Sequence, residues 1–593
     1  MKTPHIIRLC LLSAALLLPG VVKAQFTFTT NADNTITITG YTGDGTEVTI
    51  PGTTNGHPVT SIGDDAFYRA SPYSVIIPYG ITSIGNFAFD KCPNLTNLMV
   101  PNSVVILGTN VFNQCPSLIN VSIPNSVTSV EDNTFYYCFS LAEVTVGSGV
   151  TNIGKFAFLG CNSLTTITVD ANNSNYSSPD GVLFNQNKTL LVLCPEGKSG
   201  SYSIPDGTTR IGNCAFYYCE GLTNVAIPDG VTNIGDSAFY KCYGLATVNI
   251  PASVSNIEGS AFYSCIDLTC ITIPNSVINI GDYAFYYGID LTNVSFGNHV
   301  TSIGSNAFAS CALTSVMIPS SVTTIGDGAF YWCSSLTSVT IPNTVTNIGS
   351  SAFEVCTSLT SIIIPGAVTS IENGVFEGCS GLTNVTILGN VTSIGDYAFY
   401  FCNGLTSMTI PGSVTYIGDL AFDGCNGLTN MTIPSNVTSV GNWAFSFCTN
   451  LTSVTIPSSI TNVGIYVFAG GDNLKEIYYY GNAPNFYGLT VFGGNTNATL
   501  YYELGTTGWG ATFAGVPTAL WLPQMQTTGA SSQTNSFGFN INWASGQTVI
   551  VETSTNLVAW QPLQTNTLTT GTSYFSDSQW TNYPGRFYRL RSP

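Results

Sequence analysis

From about residue 61 to 468 the chain repeats one 23-residue unit, seen cleanly in CNGLTNMTIPSNVTSVGNWAFSF at 425–447. A Cys marks the beat at Cys92, Cys115, Cys138, Cys161, Cys219, Cys242 and Cys265. It resumes at Cys311, Cys333, Cys356, Cys379, Cys402, Cys425 and Cys448, with Gly288 and Gly471 on two further beats. Neighbouring beats are 23 residues apart except Cys161 to Cys219, which are 58 apart across an insert, and Cys311 to Cys333, where the unit CALTS has lost one residue. The Phe of the Ala-Phe position follows the same repeat from Phe67 to Phe468, with Phe67 to Phe89 one residue short and Phe158 to Phe216 spaced by 58. A fixed period of this length specifies stacked coils rather than a closed globule.

Each part of the unit has a physical reading. In LTNMTIP, Met431 and Ile433 alternate with polar residues and mark a short strand with one buried face. Pro434 lacks the backbone donor and ends that strand. Val437 and Val440 form a second apolar pair before Gly441, a turn residue. Asp, Asn or Ser follows the Gly in many copies (Asp236, Asp282, Asp327, Asp396, Asn442). That pattern reads as an N-cap opening a single helical turn, which drops the Phe into the core. One coil cannot bury enough apolar surface to offset the cost of ordering it, so coils must stack.

The pattern C-x-x-L-x-x-V-x-I-P-x-x-V-x-x-I-G-x-x-A-F resembles the BspA-type (treponemal-type) leucine-rich repeat of bacterial surface proteins. The resemblance implies a repeat solenoid of the leucine-rich-repeat horseshoe class. In that class a parallel β-sheet lies on the concave side, with short helical turns and extended segments elsewhere. It also implies a recognition or adhesion role, without fixing a partner.

The rest of the chain divides around the array. Lys2 and Arg8, an apolar run at 9–18, and Val22-Lys23-Ala24 before Gln25 read as a signal peptide over 1–24, cut after Ala24. The run is too short to span a bilayer, and no Cys follows the cut to carry a lipid. The mature protein is therefore expected to be secreted or on the cell surface, without a membrane span, and monomeric. Residues 25–60 read as a β-hairpin cap, and 61–473 as the repeats, with an insert at about 170–205. Residues 474–523 read as a terminal coil and C-terminal cap. Residues 524–593 lose the repeat; strands at 536–543, 548–553 and 586–590 suggest a small all-β sandwich that loosely resembles fibronectin type III modules.

Composition excludes whole classes of function. A net charge of −18 with 14 Lys and Arg leaves no basic patch for nucleic acid. After processing only His57 and His299 remain, too few for Ser-His-Asp, Cys-His or HExxH chemistry. The run from Gly149 to Lys155 imitates a phosphate loop, but Phe156 stands where Ser or Thr is needed. Asp170, Asn172 and Ser174 imitate the start of a calcium loop, but Asn175 and Gly181 occupy its Gly and Glu positions. Asp396 and Asp419 could align as paired carboxylates, yet both sit in the capping slot. In 524–593 catalysis would rest on Glu552 and Asp577 alone. No catalytic residue, cofactor or metal is expected. The ladder cysteines read as buried free thiols, because neighbouring rungs sit about 4.8 Å apart and hold their Cβ atoms too far apart for a disulfide. Cys270 is expected to face outward.

Two rows remain as a candidate ligand surface. The outward strand positions read as neutral hydroxyls and amides, among them Asn224, Thr247, Asn293, Ser338 and Asn384. Aromatics precede the Cys rung at Tyr217, Tyr240, Tyr263, Tyr286, Tyr331, Trp332 and Tyr400. Aromatic faces beside hydroxyls suit an extracellular protein or polysaccharide; the same aromatics could equally pack between coils. The leading expectation is a non-enzymatic recognition or adhesion scaffold, with a structural surface or matrix component as the alternative and a secreted hydrolase accessory as a remote one.

Overall fold

The computed structural model describes residues 25–484, 490–495, 497–503, 505–533, 536–543, 547–583 and 585–592. The signal-peptide reading of 1–24 lies outside them. The chain divides into two compact units, Met1–Pro274 and Asn275–Pro593.

In the first unit, Phe26–Thr30 and Ile36–Tyr41 form an antiparallel hairpin, whose second strand pairs in parallel with His57–Ile62. The hairpin therefore ends in the first rung of the repeat. Two parallel ladders follow. The wide one runs Glu47–Thr49, Ser74–Ile76, Asn97–Met99, Asn120–Ile123, Glu143–Val146, Thr166–Val169. The narrow one is built of two-residue strands such as Ser83–Ile84 and Ile106–Leu107. Register follows the period, as in Val121 facing Val144 and Val144 facing Ile167. The insert is an antiparallel meander of Tyr176–Ser177, Leu183–Asn185 and Leu190–Leu193. Its last strand rejoins the narrow ladder in parallel at Arg210–Ile211.

The second unit repeats this plan, for example Ser361–Ile364, Asn384–Ile387 and Ser407–Met408. The wide ladder continues past the last Ala-Phe through Glu476–Tyr479, Thr499–Tyr502 and Val516–Leu520. Beyond it, six strands make two antiparallel sheets. One is Gln524–Gln533, Ser536–Asn542 and Thr572–Asp577; the other is Gln561–Thr567, Thr548–Ser554 and Phe587–Arg591. Their shared core is Phe539, Ile541, Trp543, Val549, Val551, Leu568 and Phe575, the small all-β sandwich.

Phe and Cys columns fill the solenoid core. Successive Phe rings stack at 5.4 Å for Phe112–Phe135, and at 5.2 Å and 5.1 Å for Phe399–Phe422–Phe445. Each ladder Cys is buried and free. Its thiol donates to the carbonyl of the previous coil's Phe, as Cys115 to Phe89 at 3.1 Å and Cys425 to Phe399 at 3.1 Å, except Cys219, which follows the insert and donates to Cys194 O and Pro195 O. Burial pushes the Cys333, Cys379 and Cys448 thiols up to about 12.

The helical turn read from the Asx-x-Ala-Phe pattern does not form. The Phe segment is a run of overlapping β-turns whose backbone is left-handed two residues before and two residues after the Phe, as at Tyr397 (φ 57) and Phe401 (φ 53) around Phe399. Their amides pair with the next coil: Tyr397 to Asp419 O at 2.9 Å, Phe399 to Ala421 O and Phe401 to Asp423 O at 2.8 Å. The Asx carboxylate or amide likewise serves the neighbouring coil rather than its own. Asp396 Oδ1 accepts from the Asp419 amide (2.8 Å), and Asp419 Oδ1 from Asn442 (2.6 Å). An extended stack satisfies these groups between coils, so no helix is needed to satisfy them within one.

Candidate functional site

In many coils the two residues after the core Phe leave the core and form a ridge, though Asp90, Ala309, Asp423 and Ser446 stay buried. The first position carries Tyr217, Tyr240, Tyr263, Tyr286, Tyr331 and Tyr400, all half-buried. The second carries Trp332, whose side chain is 54% exposed.

In the first unit this ridge is packing. Tyr217 and Tyr240 stack at 4.6 Å and 6°, and Tyr240 and Tyr263 at 4.6 Å and 17°. Burial raises the Tyr217 and Tyr240 phenols above their ordinary range. The ridge here also carries its own cations. Lys241 Nζ lies 4.9 Å from the Tyr218 ring centre and 5.6 Å from that of Tyr240, and donates to the Tyr218 hydroxyl at 2.8 Å. The enclosed space beside Tyr217, bordered by Phe156, Cys194, Glu196 and Cys214, holds about 20 Å³. That is room for one water and no larger ligand.

In the second unit the ridge breaks. Where Tyr would follow Phe308 stand Ala309 and Ser310, and the next turn is the shortened CALTS. Tyr286 and Tyr287 form one wall (ring centres 6.2 Å apart, 25°), and Tyr331 with Trp332 the other (5.9 Å, 87°). Between them lies a groove of about 630 Å³, floored by Ser310, Cys311 and Ala312 and edged by Ile289, Ser334 and Ser335. The walls belong to coils two rungs apart, about 10 Å at the strand spacing. A second depression of about 370 Å³ lies across Tyr331, lined by Asp327 and Glu354 among others. Burial, and then Glu354, raise the Tyr331 phenol. Tyr400 stands apart from the groove, against Tyr397 (5.5 Å) and Phe401 (4.3 Å).

Of the sequence candidates, then, Tyr286, Tyr331 and Trp332 come together. Tyr217, Tyr240 and Tyr263 are joined in a packing column. The strand residues form a separate surface: Thr247 donates to Asn224 Oδ1 at 3.0 Å, and Asn293, Ser338 and Asn384 are exposed on the wide ladder. None of them lines the groove, whose hydroxyls come from Ser310, Ser334 and Ser335 instead. Nor is the strand face uniformly polar. Ile76, Met99, Met317 and Ile363 occupy its Thr positions and are exposed. Tyr287 belongs to the same aromatic row, while Ile289 and the three serines carry no such signal in the sequence. The lost residue in CALTS, beside Gly288 in place of a Cys, was the signal that could have found them.

The other candidate chemistries resolve into structure. Asp170 Oδ1 accepts from Asn172 N at 2.8 Å and Asn172 Nδ2 at 3.1 Å, while buried Asn173 donates to Gly147 O and Val150 O. The Lys155 amide donates to Asp132 Oδ1 (2.9 Å), so the imitation phosphate loop is the ordinary turn of the repeat. In the sandwich, Arg586 pairs with Asp577 (2.9 Å), and Arg589 and Arg591 with Glu552 (2.7 and 2.9 Å). Arg591 and Arg589 hold the Glu552 carboxyl below the usual range. Among the described residues no group of three or more His, Cys, Asp and Glu is placed to hold a metal ion, and no helix is long and apolar enough to cross a membrane.

No protein of curated function matches the chain. Among solved structures it is similar to a leucine-rich repeat protein from Bacteroides ovatus (25% identity, 78% of this chain and 94% of that one, TM-score 0.39). It is similar too to the pneumococcal vaccine antigen PcpA (22%, 55% and 92%, TM-score 0.43). A third is a leucine-rich cell surface protein from Faecalibacterium prausnitzii (26%, 62% and 94%, TM-score 0.34). The BspA type leucine rich repeat region matches in six copies, over residues 60–188, 197–312, 301–422 and 392–497. Matched over most of its length and built of these coils, the chain belongs to the BspA-type leucine-rich repeat family.

Proposed function

We propose that this protein is an exported, non-enzymatic recognition or adhesion scaffold acting at or outside the bacterial surface, and that its contact site is the aromatic groove of the second unit. One observation carries the reading. In the coil shortened to CALTS, where Ala309 and Ser310 stand in place of ridge tyrosines, a groove of about 630 Å³ opens between two aromatic walls. Aromatic rings edged by hydroxyls and open to solvent are the usual anchors of extracellular contacts. Export rests on the N-terminal segment, and the absence of catalysis on the shortage of His and the ion-paired carboxylates.

The test is a screen of purified residues 25–593 on arrays of glycans and extracellular proteins, beside Trp332→Ala and Tyr331→Ala. A hit weakened about tenfold or more by either variant, with an unchanged melting temperature, supports the groove. A hit indifferent to both moves the contact to the strand face. The absence of any hit sinks recognition in favour of a structural role, which the Tyr217–Tyr240–Tyr263 stack favours.

A further inference from the structure

The cations of this protein are unevenly distributed. Between Lys241 and Lys475 the chain contains no Lys or Arg, against twelve Asp and Glu. From residue 25 to 274 the chain carries seven Lys and Arg, two of them in the insert, beside eighteen Asp and Glu. The difference falls on the ridge. In the first unit the second position after the core Phe holds Arg69, Lys91 and Lys241, and each lies over a ridge tyrosine: Arg69 and Lys91 over Tyr68 at 5.1 and 5.5 Å, Lys241 over Tyr218 and Tyr240. In the second unit that position holds Tyr287 and Trp332, and the first position carries Glu354 and Glu377 on the two coils after Tyr331. Burial, and then Glu354, hold the Glu377 carboxyl above the usual carboxylate range, so the two carboxylates feel each other with no cation between them.

The Asx carboxylates of this stretch accept amides from neighbouring coils, but Glu354 and Glu377 have no such partner among the described hydrogen bonds, and no cation of the stretch offsets the repulsion. What it does have is a field of one sign around an aromatic groove. The first unit shows inside one chain the contact that chemistry favours, a cation over a ridge tyrosine. We propose that the groove between Tyr286–Tyr287 and Tyr331–Trp332 docks an Arg- and Lys-rich segment of a partner protein. The proposal rests on the recognition reading above and names the partner's chemistry. A guanidinium is flat and weakly hydrated, so it stacks on Trp332 or Tyr287 while its edge donors reach toward the carboxylates of Asp327 and Glu354 across Tyr331. A neutral glycan would need the rings and hydroxyls but gives no reason for the missing cations.

The test is binding of a labelled oligo-arginine peptide to the mature chain 25–593, with oligo-glutamate, a chitosan oligomer and a neutral oligosaccharide alongside. Binding is read by fluorescence anisotropy at about 50 mM and about 500 mM salt. Oligo-arginine is expected to bind, to weaken at high salt, and to lose about tenfold or more in affinity in Trp332→Ala, in Tyr287→Ala and in Glu354→Gln, each at an unchanged melting temperature. Equal binding to all three variants means general attraction to an acidic chain and overturns the proposal. So does silence toward oligo-arginine at low salt. If chitosan alone binds, the partner is an amino-polysaccharide and not a peptide. If only the neutral sugar binds, and Trp332→Ala abolishes it, the cationic partner falls while the recognition reading stands.

Discussion

A left-handed backbone costs a residue other than glycine about 1–2 kcal/mol, yet coil after coil holds two of them, among them Tyr287, Trp332, Phe401 and Phe447. The amide pairs to the next coil hold them there. At Gly424 and Gly470 the slot takes glycine for another reason: the ring of the previous coil lies over it. A Cβ on Gly424 would sit 2.6 Å from the Phe401 ring, and one on Gly470 2.7 Å from that of Phe447. Gly424→Ala is therefore expected to destabilise by about 1–3 kcal/mol, and Phe401→Ala in the same chain to recover part of that loss, read as urea midpoints in a double-mutant cycle. If the two losses simply add, the ring is not the cause. At Asp419, whose carboxylate accepts from the Asn442 amide, Ala should cost about 1–2 kcal/mol and Asn much less. Equal losses would show that the inter-coil bond does not matter. The identity of the buried residues could be read from spacing, because Cys, Phe, Leu and Val repeat on one beat. The left-handed slots could not, since Tyr, Ser, Asn, Lys and Gly all occupy them and composition carries no signal.

Among the elements, the insert and the sandwich carry the testable charges. Glu196 accepts from the Gly160 amide (2.9 Å) in a confined site, and burial raises its carboxyl to about 8. Its folded value lies above the unfolded one of about 4.5, so the folded state holds the extra proton. Stability contributed at this site is present below about pH 4.5 and is lost as pH rises toward 8. Glu196→Gln should flatten the fall in melting temperature over that window, and an unchanged slope would refute the assignment. In the sandwich, Asp577 is buried against Arg586 and accepts from the Tyr588 hydroxyl at 2.8 Å. Arg586→Met leaves that carboxylate unpaired, and a loss of about 3–5 kcal/mol is expected in the transition of this domain. Three of its strands showed in the sequence through alternating apolar residues, as in SFGFNIN. Gln561–Thr567, QPLQTNT, shows no such alternation, so its strand is visible only through its pairing with Thr548–Ser554.

At the scale of the whole molecule, one exposed thiol, Cys270, stands among sixteen buried ones in the described residues. Alkylation of native residues 25–593 is expected to label Cys270 and little else, and urea to release the rest; several native adducts would mean the thiol column is open. The repeat, its coil plan and its family were legible because a period survives many substitutions. The groove was legible only as a lost residue, because a cavity is a relation between coils two beats apart rather than a property of either. The turn ladder has a further consequence. Along each stack the peptide units before Tyr397, Phe399 and Phe401, and before Leu420, Phe422 and Gly424, all aim their N–H groups at the following coil. In an ordinary β-ladder successive units alternate and cancel; here three per coil add. Peptide dipoles of about 3.5 D each thus sum along the turn edge as they do along a helix, with the amide pole toward later coils and the carbonyl pole toward earlier ones. A solenoid almost without helices carries a helix-like field on one edge.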